Sequence, residues 1–251
     1  MVQPPFIRRQ NNKMRTLLLY ILLFTGLSSY AQFGTNVFGK RPITNLENFD
    51  KQRVHWGYYL GFNSYDFKFD YKAPPKTDIQ VKTSTGFNVG LVGNLRLFEY
   101  LDLRFEPGLA YTERDITFSN PALVEIYDKQ RIVKSTYIHF PLLLKFSAKR
   151  TGNIKPYLLG GVSRTFNFDS NSDAKDDNIT GARFRMKKWT NNYELGAGID
   201  IYFEYFKFSP SIRGVFSFND ELIRDNDPNS PYTGNVGSMK TRGVFVNFTF
   251  H

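Results

Sequence analysis

The amino-acid sequence predicts an all-β fold: an eight-stranded antiparallel up-and-down transmembrane β-barrel with short turns on one rim and long loops on the other. Three observations predict it. Apolar residues alternate with polar or small residues in eight segments from residue 56 onward, which is the period of a strand and not of a helix. The connections between the segments alternate between short and long, and an export signal precedes the first segment.

Residues 1–31 have the pattern of a start extension followed by a signal peptide. A basic stretch around Lys13 precedes the apolar run 17–24, and a small-x-small site ends at Ala31, after which we expect cleavage. Met14 is the expected true start. The apolar run has about half of the roughly 20 residues that a spanning helix needs. The alternative interpretation of this run is a buried core helix.

The composition excludes several classes of protein. The chain has 251 residues, no cysteine, and 33 basic against 23 acidic side chains. Four of the basic residues and none of the acidic ones lie in 1–31, so the processed chain carries 29 basic and 23 acidic side chains, a net charge of +6. This excess contains no block of Lys and Arg, which argues against nucleic-acid binding. A mean hydropathy of −0.39 excludes a bundle of membrane helices.

The chain divides into a segment without periodicity and a barrel. Residues 32–55 are predicted to form an extended periplasmic N-terminal segment, and residues 56–251 to form the barrel. The eight predicted strands are 56–68, 84–97, 101–114, 133–147, 154–167, 189–203, 206–218 and 241–251. The second strand has an apolar face of Phe87, Val89, Leu91, Leu95 and Leu97. The third has one of Leu101, Leu103, Phe105, Leu109 and Tyr111.

The later strands repeat this pattern. The fourth strand has an apolar face of Ile138, Phe140, Leu142, Leu144 and Phe146. Pro141 lies inside this strand and predicts a local bulge, because proline cannot donate a hydrogen bond to the ladder. The sixth strand has an apolar face of Leu195, Ala197, Ile199 and Ile201. The eighth has one of Val244, Val246, Phe248 and Phe250.

The connections predict the orientation of the barrel. Short turns are expected near 98–100, 148–153 and 204–205, and long polar loops near 69–83, 115–132, 168–188 and 219–240. Outer-membrane barrels have short turns on the periplasmic side and long loops on the extracellular side. With eight strands, both ends of the barrel fall on the short-turn side.

The apolar faces have two candidate environments, a protein core and lipid. In a soluble barrel, glycines such as Gly196 and Gly198 would coat the outside, although glycine weakens strands. In a membrane barrel these glycines and the charges share a narrow lumen that eight strands fill with side chains alone. Aromatic residues also cluster near the short turns, as in an interfacial girdle or, alternatively, a core. We predict a multi-pass outer-membrane barrel in contact with lipid.

A set of charged side chains is predicted to lie in the lumen. Its members are Arg96, Asp102, Arg104, Glu106, His139, Arg164, Glu194, Asp200 and Arg213. An unpaired charge at membrane depth costs several kcal/mol, so we expect the arginines to pair with the acids and fill the barrel. The functional alternative is a thin ion path.

Motifs for catalysis or for cofactors were not found. The three histidines, His55, His139 and His251, fit no metal-ligand spacing, and His139 points into the lumen. We therefore predict no catalytic residue, no metal site and no cofactor. The stretch 169–180 begins like a calcium loop but has Ala174 where the loop needs glycine and Thr180 where it needs glutamate, so we interpret it as a solvated outer loop. The alternative is loose binding of a divalent ion there or at Asp225 and Asp227.

The stretch NLENFDKQRVHWGYYLGFN at 45–63 resembles the PorT family of Bacteroidota outer-membrane proteins, called SprT in gliding bacteria. The stretches at 135–146, 155–164 and 193–213 resemble a broader class of Bacteroidota outer-membrane barrels and indicate only the fold. The PorT resemblance implies a non-enzymatic role in type IX secretion, and in gliding species the delivery of surface adhesins. Other outer-membrane and periplasmic secretion proteins would be the partners.

An eight-stranded barrel is too narrow to pass folded cargo, so the resemblance implies an accessory component and not the pore. The candidate residues for partner contacts are Asn45, Phe49, Asp50, His55 and Trp56.

Two other functions compete with this one. The first is a generic structural or ligand-binding barrel of the OmpA/OmpX type, acting through its long loops. The second is an outer-membrane lipid hydrolase or acyltransferase, which needs a polar triad at the outer rim. We expect no nucleic acid and no small-molecule substrate.

Overall fold

The computed structural model describes residues 44–75, 78–118, 120, 123, 129–174 and 184–251. The predicted signal peptide and its cleavage site lie outside these residues. A short 3₁₀ helix covers Phe49–Lys51. The strands are β1 Val54–Tyr71, β2 Gln80–Thr83, β3 Thr85–Phe98, β4 Leu101–Phe105, β5 Gly108–Thr117, β6 Gln130–Ser147, β7 Ile154–Asn167, β8 Trp189–Tyr202, β9 Lys207–Ser217 and β10 Val236–Phe250. Among the described residues, no helix is long and apolar enough to cross a membrane.

The strands of the described chain close into a ring of eight. Every neighbouring pair is antiparallel, and β1 pairs with both β3 and β10, which closes the sheet on itself. β2 and β3 together occupy one position in the ring, because both pair with β5. β4 and β5 together occupy another position, because both pair with β6. The predicted all-β, up-and-down barrel is therefore confirmed.

The ring has one irregularity, between β4 and β5. β4 pairs with β6 as far as Phe105, opposite Leu142, and β5 resumes at Gly108, opposite His139. The predicted bulge at Pro141 is wrong, since β6 runs unbroken and stays in register with β7 through this residue.

The carbonyl of Pro141 accepts a hydrogen bond from the backbone N–H of Glu106 at 3.3 Å. In an antiparallel ladder the N–H and C=O of one residue point to the same neighbour. The missing N–H of Pro141 therefore also faces Glu106. The gap between β4 and β5 therefore falls at Glu106, which faces Pro141, and at Pro107, which also lacks an N–H, while β6 continues unbroken.

The outward face of β1 changes its chemistry along the strand. The first half carries the exposed apolar residues Val54, Trp56, Tyr58, Leu60 and Phe62. The second half carries Ser64, Asp66, Lys68 and Asp70. The apolar part has nine residues from 54 to 62, which matches the roughly 9–11 tilted residues that cross a bilayer. β10 behaves alike, with apolar outward residues from Val244 to Phe250 and charged ones at Lys240 and Arg242.

The inward face of the barrel changes from polar within the apolar band to apolar beyond it. Beyond the apolar band, buried hydrophobic residues from strands and loops pack together inside the barrel. They are Phe67, Ile116, Phe118, Leu123, Val133, Phe184, Met186, Leu222, Tyr232, Val236 and Met239. We call this set the extracellular core. This end of the barrel is polar outside and apolar inside, as in a water-soluble protein. The part within the band is apolar outside and polar inside.

Inward glycines make room for tyrosine rings in the lumen. A Cβ on Gly198 would lie 2.4 Å from the ring of Tyr157, and one on Gly90 would lie 2.6 Å from the ring of Tyr59. Both tyrosines are buried. The glycines therefore allow the large rings to fill a narrow barrel.

Candidate functional site

A network of buried ion pairs fills the lumen within the apolar band. Arg213 bridges two carboxylates: its Nη1 lies 2.7 Å from Oε2 of Glu106, and its Nε lies 3.0 Å from Oε2 of Glu194. Arg104 forms an ion pair with Glu106, and Nε2 of His139 lies 2.7 Å from Oε1 of Glu194. All five side chains are at most 3% exposed. Each buried acid thus has two basic partners, which offsets the cost of removing it from water.

A second group lies nearer the periplasmic end and centres on Asp200. Its Oδ2 lies 2.6 Å from Nζ of Lys145 and 4.0 Å from Nζ of Lys207, and its Oδ1 accepts a hydrogen bond from Ser209 at 2.7 Å. The ammonium of Lys145 also lies 4.1 Å from the centre of the Tyr157 ring. Neither lysine was among the predicted lumen charges. Their inward alternation, shared with His139 in β6 and Ser209 in β9, is the signal that would have identified them.

The structure brings six of the nine predicted lumen residues together. They are Arg104, Glu106, His139, Glu194, Asp200 and Arg213, all buried. Arg96 and Asp102 lie opposite each other in the β3–β4 ladder at the periplasmic rim, where both are only partly buried.

The assignment of Arg164 to the lumen is wrong. Its side chain is exposed on the outer face of β7, with its guanidinium carbon 4.5 Å from the centre of the Trp189 ring. The reason is its position in the alternation, which it shares with the exposed residues Leu158 and Val162. Arg164 is ten residues from the periplasmic end of β7. At a rise of about 3.3 Å per residue and a tilt of about 40°, it lies roughly 25 Å up the barrel wall, near the outer edge of the apolar band.

An aromatic layer separates the ion pairs from the extracellular core. It contains Tyr65, Tyr137 and Phe245, whose rings pack at centroid distances of 5.3–5.4 Å. Above it, Arg114 donates hydrogen bonds to Oη of Tyr137 at 2.6 Å and to Oγ of Ser135 at 2.8 Å. This arginine is fully buried. The described lumen therefore contains three layers: charged, aromatic and apolar.

The extracellular loops are tied together above the extracellular core. Nη2 of Arg185 lies 3.1 Å from Oδ1 of Asp225. Oδ2 of Asp225 accepts hydrogen bonds from Ser230 at 2.5 Å and from Thr233 at 2.9 Å. Two loops that are distant in sequence are thereby joined over the end of the barrel.

The calcium-like stretch 169–180 uses its acids for other contacts. Asp169 accepts a hydrogen bond from the backbone N–H of Thr136 at 2.8 Å, and Asp173 forms an ion pair with Lys188 at 2.7 Å. Thr180, at the last position of the motif, lies outside the described residues. In the described part of the chain, no three acidic or histidine side chains gather as metal ligands.

The periplasmic mouth is covered by residues 44–53, which we call the periplasmic cap. The carboxylate of Asp50 accepts a hydrogen bond from Oη of Tyr202 at 2.6 Å and lies 3.2 Å from Nζ of Lys155. Arg96 donates to the Asp50 carbonyl at 2.8 Å. The ring of Phe49 stacks on that of His55 at 4.5 Å. These contacts hold the 3₁₀ helix across the opening.

Asn45 anchors the start of the cap to the opposite side of the mouth. Its backbone N–H donates to Oδ1 of Asn153 at 2.9 Å, and its side-chain amide donates to the carbonyl of Tyr202 at 3.1 Å. Arg150 donates to the Asn45 carbonyl.

Three of the five predicted partner-contact residues, Asn45, Phe49 and Asp50, therefore contact the chain's own barrel, and the fourth, His55, lies in β1 and stacks on Phe49 of the cap. The fifth, Trp56, is 75% exposed on the outer face.

The charge of Asp50 is stabilised by its surroundings. Partial burial opposes ionisation, but the Tyr202 hydrogen bond and the charges of Lys155 and Lys207 outweigh it and hold the pKa of Asp50 below its ordinary value. The ionised carboxylate therefore stabilises the cap at pH values above the usual carboxyl pKa. This contribution is lost as the pH falls through the lowered pKa of Asp50.

The substitution Asp50→Asn is expected to loosen the cap. Amide hydrogen exchange of residues 44–52 should become about tenfold faster at neutral pH, since a hydrogen bond to a charged group contributes about 1.5–3 kcal/mol and this one is partly exposed. The control is Glu47→Gln, which removes the same charge from an exposed side chain of the cap. Equal exchange rates in the two variants would show that Asp50 does not hold the cap in place.

The fold and the filled lumen define the class of the protein, a small outer-membrane β-barrel. The chain belongs to the family described as outer membrane protein beta-barrel domain, whose model matches residues 30–222. No curated protein sequence matches the chain.

Several solved structures of outer-membrane proteins are similar to the chain at a low level. The outer membrane protein OprG from Pseudomonas aeruginosa is 16% identical, with a TM-score of 0.40, over 79% of this chain and 94% of its own. The N-terminal β-barrel domain of OprF from the same organism is 14% identical, with a TM-score of 0.36, over 79% and 98%. Ail of Yersinia pestis, in complex with the heparin analogue sucrose octasulfate, is 11% identical, with a TM-score of 0.36, over 79% and 99%. Likeness at this level supports no inference about function.

Proposed function

We propose that this protein is a closed, non-enzymatic outer-membrane barrel of the OmpA/OmpX type, which acts through its surfaces and not as a pore. The filled lumen is the observation that carries the proposal. The periplasmic cap covers one end, buried ion pairs and an aromatic layer occupy the middle, and the extracellular core fills the other end.

An ion path through the barrel conflicts with this packing. A permeating ion would have to displace the side chains that pair with Glu106, Glu194 and Asp200, leaving buried charges without partners. It would then have to cross the apolar extracellular core. Both steps are costly, so we favour a structural role for the lumen charges.

Among the described residues, His139 does not provide a site for a lipid-modifying activity. His139, the histidine that this hypothesis would use, is 1% exposed and lies beside Glu194 inside the barrel. The Phe245 ring covers it at a centroid distance of 5.6 Å. A lipid at the outer rim does not reach this imidazole, so a non-enzymatic role fits the geometry better.

Conductance measurements test the proposal. Purified protein added to planar lipid bilayers is expected to give no stable unitary current steps, because the lumen is packed with side chains. A general porin in the same bilayers serves as the positive control. Reproducible steps that scale with the amount of protein would contradict a closed barrel.

A more specific role, as an accessory component of type IX secretion, is supported by the resemblance of residues 45–63 to the PorT family. The described part of this stretch before β1 forms the periplasmic cap, so partner proteins would have to bind the outside of the cap or the short-turn rim. Loss of cargo secretion in a deletion strain, restored by the wild-type gene, would support this role. Restoration by a gene with loop 168–188 trimmed but not by one altered at 45–55 would support it over a loop-based ligand-binding role.

A further inference from the structure

A groove at the periplasmic rim combines basic side chains with lipid-facing apolar ones. It has a volume of about 460 Å³ and lies between the end of the periplasmic cap and the end of β3. Lys51, Arg53 and Arg96 supply its positive charge. Leu97 and Phe98 line its membrane side and are 43% and 70% exposed. The lining side chains thus carry three positive charges and, at Glu99, a single negative one.

The two arginines lie directly opposite each other. The β1–β3 ladder ends with Val54 opposite Leu95, and the backbone N–H of Arg96 donates to the carbonyl of Arg53 at 2.9 Å. Like charges at opposed positions of an antiparallel pair are destabilising. Arg96 donates a hydrogen bond to the Asp50 carbonyl and has Asp102 opposite it in the β3–β4 ladder, but among the described residues no carboxylate oxygen lies within 4.0 Å of either guanidinium. An anion bound between them would relieve this repulsion.

We propose that this groove binds the headgroup of an anionic phospholipid from the periplasmic leaflet. The lipid phosphate would lie between Arg53 and Arg96, and the acyl chains would lie along the exposed leucine and phenylalanine side chains of β3. Basic side chains at a membrane surface attract anionic headgroups by about 1 kcal/mol each. A lipid fits better than a soluble anion because the apolar wall of the groove continues into the lipid-facing surface of the barrel.

The chain provides its own reporter for this site. Its two tryptophans lie at opposite ends of the apolar band, Trp56 in the third residue pair of the ladder from Val54 and Trp189 at the extracellular end of β8. Trp56 is three residues from Arg53, about 10 Å along the strand. In a Trp189→Phe background, quenching by a brominated lipid therefore reports lipid bound at the periplasmic end.

The experiment compares brominated phosphatidylglycerol with brominated phosphatidylcholine in vesicles. We expect phosphatidylglycerol to quench Trp56 at a lower mole fraction, and Arg53→Gln to reduce this selectivity about fivefold. Arg53 is exposed, so the substitution should leave the fold intact, and Arg53→Lys should keep most of the selectivity. The control, Lys149→Gln, removes an exposed charge from another turn of the same rim and should have no effect.

Two results would overturn the proposal. The first is an equal change of selectivity in the Arg53→Gln and Lys149→Gln variants, including no change in either, because it would indicate no more than general attraction to the rim. The second is complete loss of selectivity on adding inorganic phosphate at constant ionic strength, because it would assign the groove to a soluble anion.

Discussion

Replacing Arg213 by methionine is expected to destabilise the barrel by about 3–5 kcal/mol, because the substitution removes one basic partner from both Glu106 and Glu194 in a buried site. Methionine is also long and unbranched but carries no charge, so the loss of stability reports mainly the removal of the charge and not the opening of a cavity. The free energy of unfolding in urea, measured in lipid vesicles by tryptophan fluorescence, gives the value.

The matched control is Arg242→Met, which breaks an exposed ion pair with Asp66 on the outer face of β10. A surface pair contributes about 1 kcal/mol or less, so this variant should stay close to the wild type. Adding Glu194→Gln to the Arg213→Met variant should recover part of the loss, since the amide is cheaper to bury than a carboxylate that has lost its arginine, whereas Glu106 keeps Arg104. Equal stabilities of the two single variants would contradict the role given to the ion-pair network.

An arginine placed on the outer face in the middle of the apolar band is expected to have the second largest effect. Leu91 is 64% exposed on this face of β3, so Leu91→Arg should cost about 2–4 kcal/mol if the face meets lipid. Thr85→Arg, six residues along the same face and beyond the band, should cost at most about 1 kcal/mol. The same unfolding assay measures both.

The comparison between these two variants separates lipid from water as the solvent of the outer face. In a soluble barrel, both arginines would point into water, and both variants would stay near wild-type stability. A small and equal effect at residues 91 and 85 would therefore contradict the membrane orientation of β3.

Alternation located the strands of the ring, because each strand has a period of two: seven of the eight predicted segments each lie on one observed strand, and the third lies on β4 and β5. It also contained information that the prediction did not use. The apolar positions of β1 change from even numbers, such as Leu60, to odd numbers, such as Phe67, and this change marks the point where the strand leaves the membrane. The predicted third strand missed the interruption at Pro107, although proline there cannot donate a hydrogen bond.

The periplasmic cap could not be predicted, because it depends on contacts between distant parts of the chain. Asn45 and Asn153 are 108 residues apart, and Asp50 and Tyr202 are 152 apart. No local pattern links such residues. The pairing of Arg213 with two carboxylates likewise follows from the register of strands across the barrel, which the periodicity of single strands does not fix.

The reversal of the outer face along β1 is the central claim, and one measurement tests it directly. The chain has no cysteine, so a spin label can be attached at a single introduced cysteine at Leu60 or at Lys68. We expect the label at 60 to be accessible to oxygen in vesicles and shielded from a water-soluble nickel complex, and the label at 68 to show the reverse. Accessibility of both sites to the nickel complex would contradict the account, because residue 60 would then face water.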